Sequence, residues 1–279
     1  MLKRLGMTQN YGRTSKRNIM TISQLYKYLD FEGGLKMMKC QNLRFANATR
    51  LNDPFDCHYE LIDFSKVPAE KCKMWPAHLI EELESCQYKN LRKRTWICSL
   101  SKIYDSLLMW CFYSSYSGVC IGIDMEKAEK YLSRVMNGVY LGVQQLEVQY
   151  KNIVDKPNFF HKIDMINYTR YQLSTKAKEW EHEKEVRLLL TDPLVGTIPS
   201  EYSDGDQKED GSVNYVDVRF YPVIGRECFS ELYLGISVEK AKQDEILKVA
   251  RWLNPEMKIY KMTVDPDAFR LKPQAIELN

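Results

Sequence analysis

The sequence predicts an α+β protein: a single mixed, mainly antiparallel sheet core with flanking helices. Strand-length apolar segments and helical patterns follow one another irregularly, which argues against a doubly wound sheet. No Walker A or G-x-G-x-x-G loop is present, so the βα units of P-loop and dinucleotide-binding enzymes are disfavoured. The 279 residues are 44% hydrophobic and 28% charged, enough for one large domain with a sizeable core.

Residues 1–20 are expected to form a flexible basic arm carrying Lys3, Arg4, Arg13, Lys16 and Arg17. Residues 21–279 are expected to form one domain. Residues 24–29 read as a short strand, or as a helix end running into it. Gly33-Gly34 should break the chain, residues 35–39 carry helical spacing, and 42–46 turn extended. Asn52-Asp53-Pro54 is a turn signal, because Asn and Asp bond their own backbone and Pro fixes the next φ. The helical pattern of 68–89 should be split by Pro76. A strand at 95–99 precedes a helix at 105–116, with Asp105 or Ser106 near its N-cap. An apolar strand at 118–124 leads into a helix at 125–136, and 140–150 is extended. A long helix is expected from 158 to about 181, followed by a Glu-rich strand. Beyond a polar loop at 200–212 come strands at 215–221 and 232–236, a helix at 238–253 and a last strand at 257–264.

Net charge is only +3, which excludes a generic polyanion binder. Eight cysteines form no C-x-x-C pair, and several lie in apolar runs such as Trp96-Ile97-Cys98. The four histidines show no metal-ligand spacing with them, so no metal site is expected. Reduced thiols, no secretory segment and no apolar run of membrane-spanning length predict a cytoplasmic location without membrane contact.

Chemistry concentrates at Glu183-Lys184-Glu185-Val186-Arg187, shortly after Trp180. Extended, it turns Glu183, Glu185 and Arg187 one way and Val186, Leu188 and Leu190 the other. Spacing alone favours a solvated edge strand with a surface ion pair. Other segments shift that preference: Leu25-Tyr26-Lys27-Tyr28; Leu43-Arg44-Phe45; Asn52-Asp53-Pro54-Phe55; Cys98-Ser99-Leu100-Ser101 before Met109-Trp110-Cys111-Phe112-Tyr113; and Trp180 before Glu183-x-Glu185-x-Arg187. In this order the set resembles an uncharacterised bacterial family of unknown function, over roughly residues 25–264. More loosely, the layout is similar to the ADP-ribosyltransferase fold, whose sheet is split.

That resemblance implies an NAD-dependent ADP-ribosyltransferase-like enzyme, a toxin or phage-defence effector, with a protein or nucleic acid as acceptor. Cleaving the nicotinamide–ribose bond passes through an oxocarbenium-like state that a carboxylate stabilises. Glu185 is the candidate for that role, and Glu183 for orienting or deprotonating the acceptor. Ser99 or Ser101 would position the ribose, Tyr28 and Tyr113 would stack on a base, and Arg44 would pair with the pyrophosphate. Lys27 stands where related sequences often have His, as a donor to a hydroxyl or phosphate.

Structural readings stand beside these. The serines can cap or turn, Tyr28 and Trp110 can be core aromatics, and Asn52-Asp53-Pro54-Phe55 reads first as a turn anchored by Phe55. Arg187 can be a clamp on the two carboxylates, and His182 is expected to face solvent. The alternative function is a non-enzymatic module for a nucleotide, nucleic acid or protein. The basic arm and the cluster Lys89, Arg92, Lys93 and Arg94 motivate it.

Overall fold

Strand β1 (Gln24–Leu29) alternates Leu25 and Leu29 on one side with Tyr26 and Tyr28 on the other, and both sides are covered. A strand buried on both faces belongs inside a sheet, and β1 lies near the middle of a nine-stranded one. The structure, a computed structural model, describes residues 22–71, 75–136, 139–161, 164–191 and 222–276. The basic arm, the polar loop expected at 200–212 and the strand expected at 215–221 lie outside these.

The other strands of the sheet are β2 (Ala46–Asn47), β3 (Thr95–Ser101), β4 (Val119–Asp124), β7 (Gln144–Glu147), β10 (Glu185–Thr191), β11 (Phe229–Leu234), β12 (Lys258–Val264) and β13 (Leu271–Ala275). Their order is β13-β12-β11-β4-β1-β3-β10-β7, with β2 also on β3. Every pairing is antiparallel except β11 with β12, as expected for a mainly antiparallel sheet. Two small ribbons stand apart: β5 (Ser133–Met136) with β6 (Val139–Gly142), and β8 (Gln149–Lys151) with β9 (Thr175–Ala177).

One edge of β3 is shared. At its C-terminal end Ser101 pairs with Tyr26 of β1, and at its N-terminal end Trp96 and Ile97 pair with β2. In the seam between them the amine of Lys27 donates to the Ser99 carbonyl at 2.7 Å, supplying a donor that no strand provides.

Helices α1 (Phe31–Cys40), α4 (Met125–Leu132) and α6 (Lys240–Leu253) pack on the sheet face that carries Leu25, Trp96, Leu100, Ile121, Leu188 and Leu232. Each fully buried Leu or Ile there is worth about 1.5–3 kcal/mol against exposure. On the opposite face α3 (Leu107–Ser114) lays Met109 and Trp110 on Tyr28, Cys120 and Tyr233. Further along it, Leu173 of α5 (Met165–Ser174) packs with Ala48, Cys57, Ile97 and Leu189. A satellite aromatic cluster joins Phe64, Trp75, Tyr88, Phe159 and Phe160. Within that lobe, α2 (Ala77–Leu83) starts directly after Pro76, as the proline requires.

Four expectations are corrected. Gly33-Gly34 does not break the chain but lies inside α1, capped by the Asp30 carboxylate on the Gly33 N–H. Gly34 lets the helix approach β4, since a Cβ there would sit 2.1 Å from Val119 Cγ2. The helix expected from 158 to 181 is only α5, because the chain turns extended at Thr175 and forms β9. The helix expected over 125–136 ends at Leu132, where β5 begins. A further strand, β13, follows the one expected to be last.

Candidate active site

The Glu-rich strand begins later than its alternation predicts. Glu183 closes a 3₁₀ turn (Lys178–Glu183), Lys184 takes a left-handed conformation (φ 46°), and β10 starts at Glu185. Both carboxylates nonetheless meet one amine. Lys176 Nζ lies 2.5 Å from Glu183 Oε2 and 3.1 Å from Glu185 Oε2, with the ring of Trp180 5.0 Å away. Arg187, on the same face as Glu185, spends all five of its N–H donors. Nε and Nη2 bond Glu185 at 3.0 and 3.2 Å, and Nη2 also bonds Asp56 at 2.6 Å. Nη1 reaches the Leu173 carbonyl at 2.8 Å and Cys57 Sγ at 3.2 Å. The bland expectation of a solvated surface ion pair is therefore overturned: Glu183, Glu185, Lys176 and Arg187 are 4%, 3%, 6% and 0% exposed.

Charges alternate along this chain of contacts, Asp56–Arg187–Glu185–Lys176–Glu183, so three carboxylates face two cations. Burial works against the ionised form of Glu185. The charges of Arg187 and Lys176, with hydrogen bonds from Arg187 and Ser99, outweigh it and hold the carboxyl well below its usual range. Burial likewise opposes the Lys176 and Arg187 cations, and the surrounding carboxylates hold both above their ordinary values. Burial pushes the Cys57 thiol up to about 12 despite Arg187, so it is an inert neighbour and not a nucleophile.

The network reaches the surface at Tyr113, whose hydroxyl donates to Glu183 Oε1 at 2.6 Å while the residue is 36% exposed. Burial and the charge of Glu183 raise the Tyr113 phenol above its ordinary value. Ser106 caps α3 and thereby fixes Tyr113 over the carboxylates. Ser101 Oγ donates to the Glu183 carbonyl at 2.7 Å and accepts from the Ile103 N–H at 3.2 Å, so it clasps the backbone. Ser99, opposite Arg187 in the register, is the serine that reaches the Glu185 carboxylate. The Glu185 N–H donates to the Tyr150 hydroxyl at 2.7 Å.

Not every candidate joins this group. Tyr28 lies on the same face but is buried edge-on against Trp110 at 5.3 Å, and its hydroxyl is bonded to the Ile103 carbonyl and the Ser106 N–H. No ring face is left for a base to stack on. Lys27 shares the side of Leu25 and Leu29, so it starts from the face opposite Tyr28 and ends in the seam at Ser99. Arg44 is exposed between the buried Leu43 and Phe45. His182 is half-buried between the rings of Phe112 and Trp180, not solvent-facing. Trp110 is core, with Nε1 bonded to the Tyr104 carbonyl. In the basic cluster, Lys89 pairs with Glu84 and lies over Tyr59, and Arg92 bonds the Ala48 carbonyl.

Two members escaped sequence reasoning. Lys176 was hidden inside the expected long helix, although the β-branched Thr175 beside it marks where that helix stops. Asp56 follows the Asn52-Asp53-Pro54-Phe55 turn, and Phe55 is not the anchor expected, since it is 66% exposed and the buried residue is Asp53. Asp53 accepts from the Phe55 N–H, Cys57 takes φ 57°, and the turn delivers Asp56 to Arg187.

A cleft of about 500 Å³ lined by Lys66, Val67, Pro68, Pro157, Asn158, His161 and Tyr168 shares no residue with the cluster. No helix of the described residues is long and apolar enough to cross a membrane. Residues 109–188 match a family model described as a protein of unknown function, DUF2971. The matched stretch runs from α3 into β10 and contains Tyr113, Lys176, Glu183, Glu185 and Arg187. No curated protein and no solved structure matches the chain.

Proposed function

We propose that the protein is an ADP-ribosyltransferase-like enzyme that breaks the nicotinamide–ribose bond of NAD at the Glu183–Glu185 pair. The observation that carries this reading is the excess of buried negative charge, three carboxylates against two cations. As the C–N bond breaks, its electron pair leaves with nicotinamide and positive charge develops on the ribose. A fixed anionic group that water does not screen stabilises that charge most where it develops. The acceptor's nucleophile then bonds to the ribose carbon and gives its proton to a carboxylate.

The contacts favour different roles from those that alternation alone suggests. Both oxygens of Glu185 are taken by Arg187 and Lys176, so Glu185 supplies charge and holds the pair in place. Glu183 is bonded to the half-exposed Tyr113, and exchange of that partner brings it to the sugar or the acceptor. Tyr113, with the exposed Phe112 beside it, offers the apolar surface on which a base can lie.

The test is nicotinamide release from NAD by the purified chain and by Glu183→Gln, which keeps volume and deletes charge. The variant should lose roughly 10²-fold or more of the activity. It should stay folded, since Lys176 keeps Glu185 and Tyr113 keeps an oxygen partner. Glu185→Gln is the less informative change, because it weakens a buried ion network at a cost of about 3–5 kcal/mol. A folded wild-type chain that neither binds NAD nor releases nicotinamide overturns the proposal.

A further inference from the structure

The other half of the same sheet face carries a second cluster that the NAD reading does not use. Tyr26 comes from β1, Glu231 and Tyr233 from β11, Tyr260 from β12, and Tyr104 from the turn after β3. Tyr233 is sandwiched, its ring stacked on Tyr104 at 4.3 Å and on Tyr260 at 4.8 Å. Tyr26 meets Tyr104 edge-on at 5.4 Å. The hydroxyls of Tyr26 and Tyr233 both donate to one oxygen, Oε2 of Glu231, at 3.1 and 2.9 Å. Gly122, opposite Glu231 in the register, leaves room for that carboxylate, since a Cβ there would lie 2.8 Å from Glu231 Cβ. Tyr26, Tyr104, Tyr260 and Glu231 all keep part of their surface in solvent.

Hydrogen-bond accounting shows what such a cluster accepts. Each phenol has one proton, and Tyr26 and Tyr233 spend theirs on the same oxygen. What remains outward is Glu231 Oε1, without a partner among the described residues, the phenolic lone pairs, and the hydroxyl groups of Tyr104 and Tyr260. Lys258, opposite Glu231 on β12, forms no ion pair with it among the described residues. Besides burial, the charges of Asp105 and Glu231 both act on Tyr104, so the rings sit in a negative field. The free oxygen of Glu231 favours a cation that carries N–H donors, and a quaternary ammonium brings none. A guanidinium brings five N–H donors in a plane and a flat face that lies on a tyrosine ring.

We infer that this tyrosine and Glu231 cluster is a binding site for a guanidinium group, as borne by an arginine side chain. The site does not depend on NAD cleavage and stands or falls separately from it. Agmatine titrated into the full chain, followed calorimetrically and by tyrosine ring resonances, is the test. Agmatine should saturate and shift Tyr26, Tyr233 and Tyr260, and tetramethylammonium should bind at least about tenfold more weakly for want of donors. Glu231→Gln should weaken agmatine by at least about tenfold. Absence of saturation, equal binding of tetramethylammonium, unchanged affinity in a folded Glu231→Gln, or shifts confined to Tyr113 each overturn the inference. If Glu231→Gln fails to fold, the resonances of the unaltered chain decide the matter.

Discussion

At the scale of the residue, burial of Arg187 depends on an unbroken set of acceptors, two of them carboxylates. A lysine there has three donors and no planar fork, so it cannot replace the arginine. The network also fixes an acid limit to stability. Glu185 has its carboxyl depressed in the folded chain relative to the ordinary glutamate value near 4.3. A group depressed by folding contributes its full stability above the unfolded value and loses it as pH falls through the folded one. Urea midpoints should therefore hold from pH 7 to about pH 5 and fall progressively below it. Glu185→Gln, with no proton to gain, should show a shallower fall. A wild-type midpoint that does not move between pH 5 and pH 3 contradicts the ion-network account.

At the scale of the element, the legible parts of the sequence were those decided locally. Pro76 fixed where α2 starts, and Ser106 capped α3 within the range expected for it. The apolar run at 119–124 became β4, and the amphipathic pattern up to Leu253 became α6. The parts that failed were decided by distant partners. Lys176 leaves the expected helix to meet Glu183 and Glu185, a demand that helical spacing over 158–181 does not register. Gly33-Gly34 looked like a breaker because the closeness of β4 to α1 is invisible in one dimension. The site showed the same division. The pairing of Glu185 with Arg187 was visible in spacing, and the arrival of Asp56 from another turn was not. Gly34→Ala should overpack the α1–β4 contact by about 1–3 kcal/mol, measured as a lowered urea midpoint with unchanged slope. An unchanged midpoint means the helix can shift away without loss.

At the scale of the whole molecule, the two clusters lie on one face of one sheet. Glu231, Gly122, Tyr26, Ser101 and Glu185 follow one another across the register of β11, β4, β1, β3 and β10. Stability along that line should be uneven, and amide hydrogen exchange can map it. The fully laddered β4 should exchange slowest. The exposed edge strand β13, with Pro273 within it, should exchange fastest among the strands. Uniform protection across all strands would count against this picture.

The join between β1 and β3 has one ladder pair and the tip of a lysine, helped by the Tyr28 hydroxyl bonded just beyond β3, with β2 closing only the far end. Such a join behaves like a zip fastened by its last tooth. An opening of the sheet at this join would carry the carboxylates of β10 to one bank and the tyrosines of β1 and β11 to the other. Lys27, placed as a ligand-holding cation by resemblance, thus becomes the rivet that keeps the two banks in step.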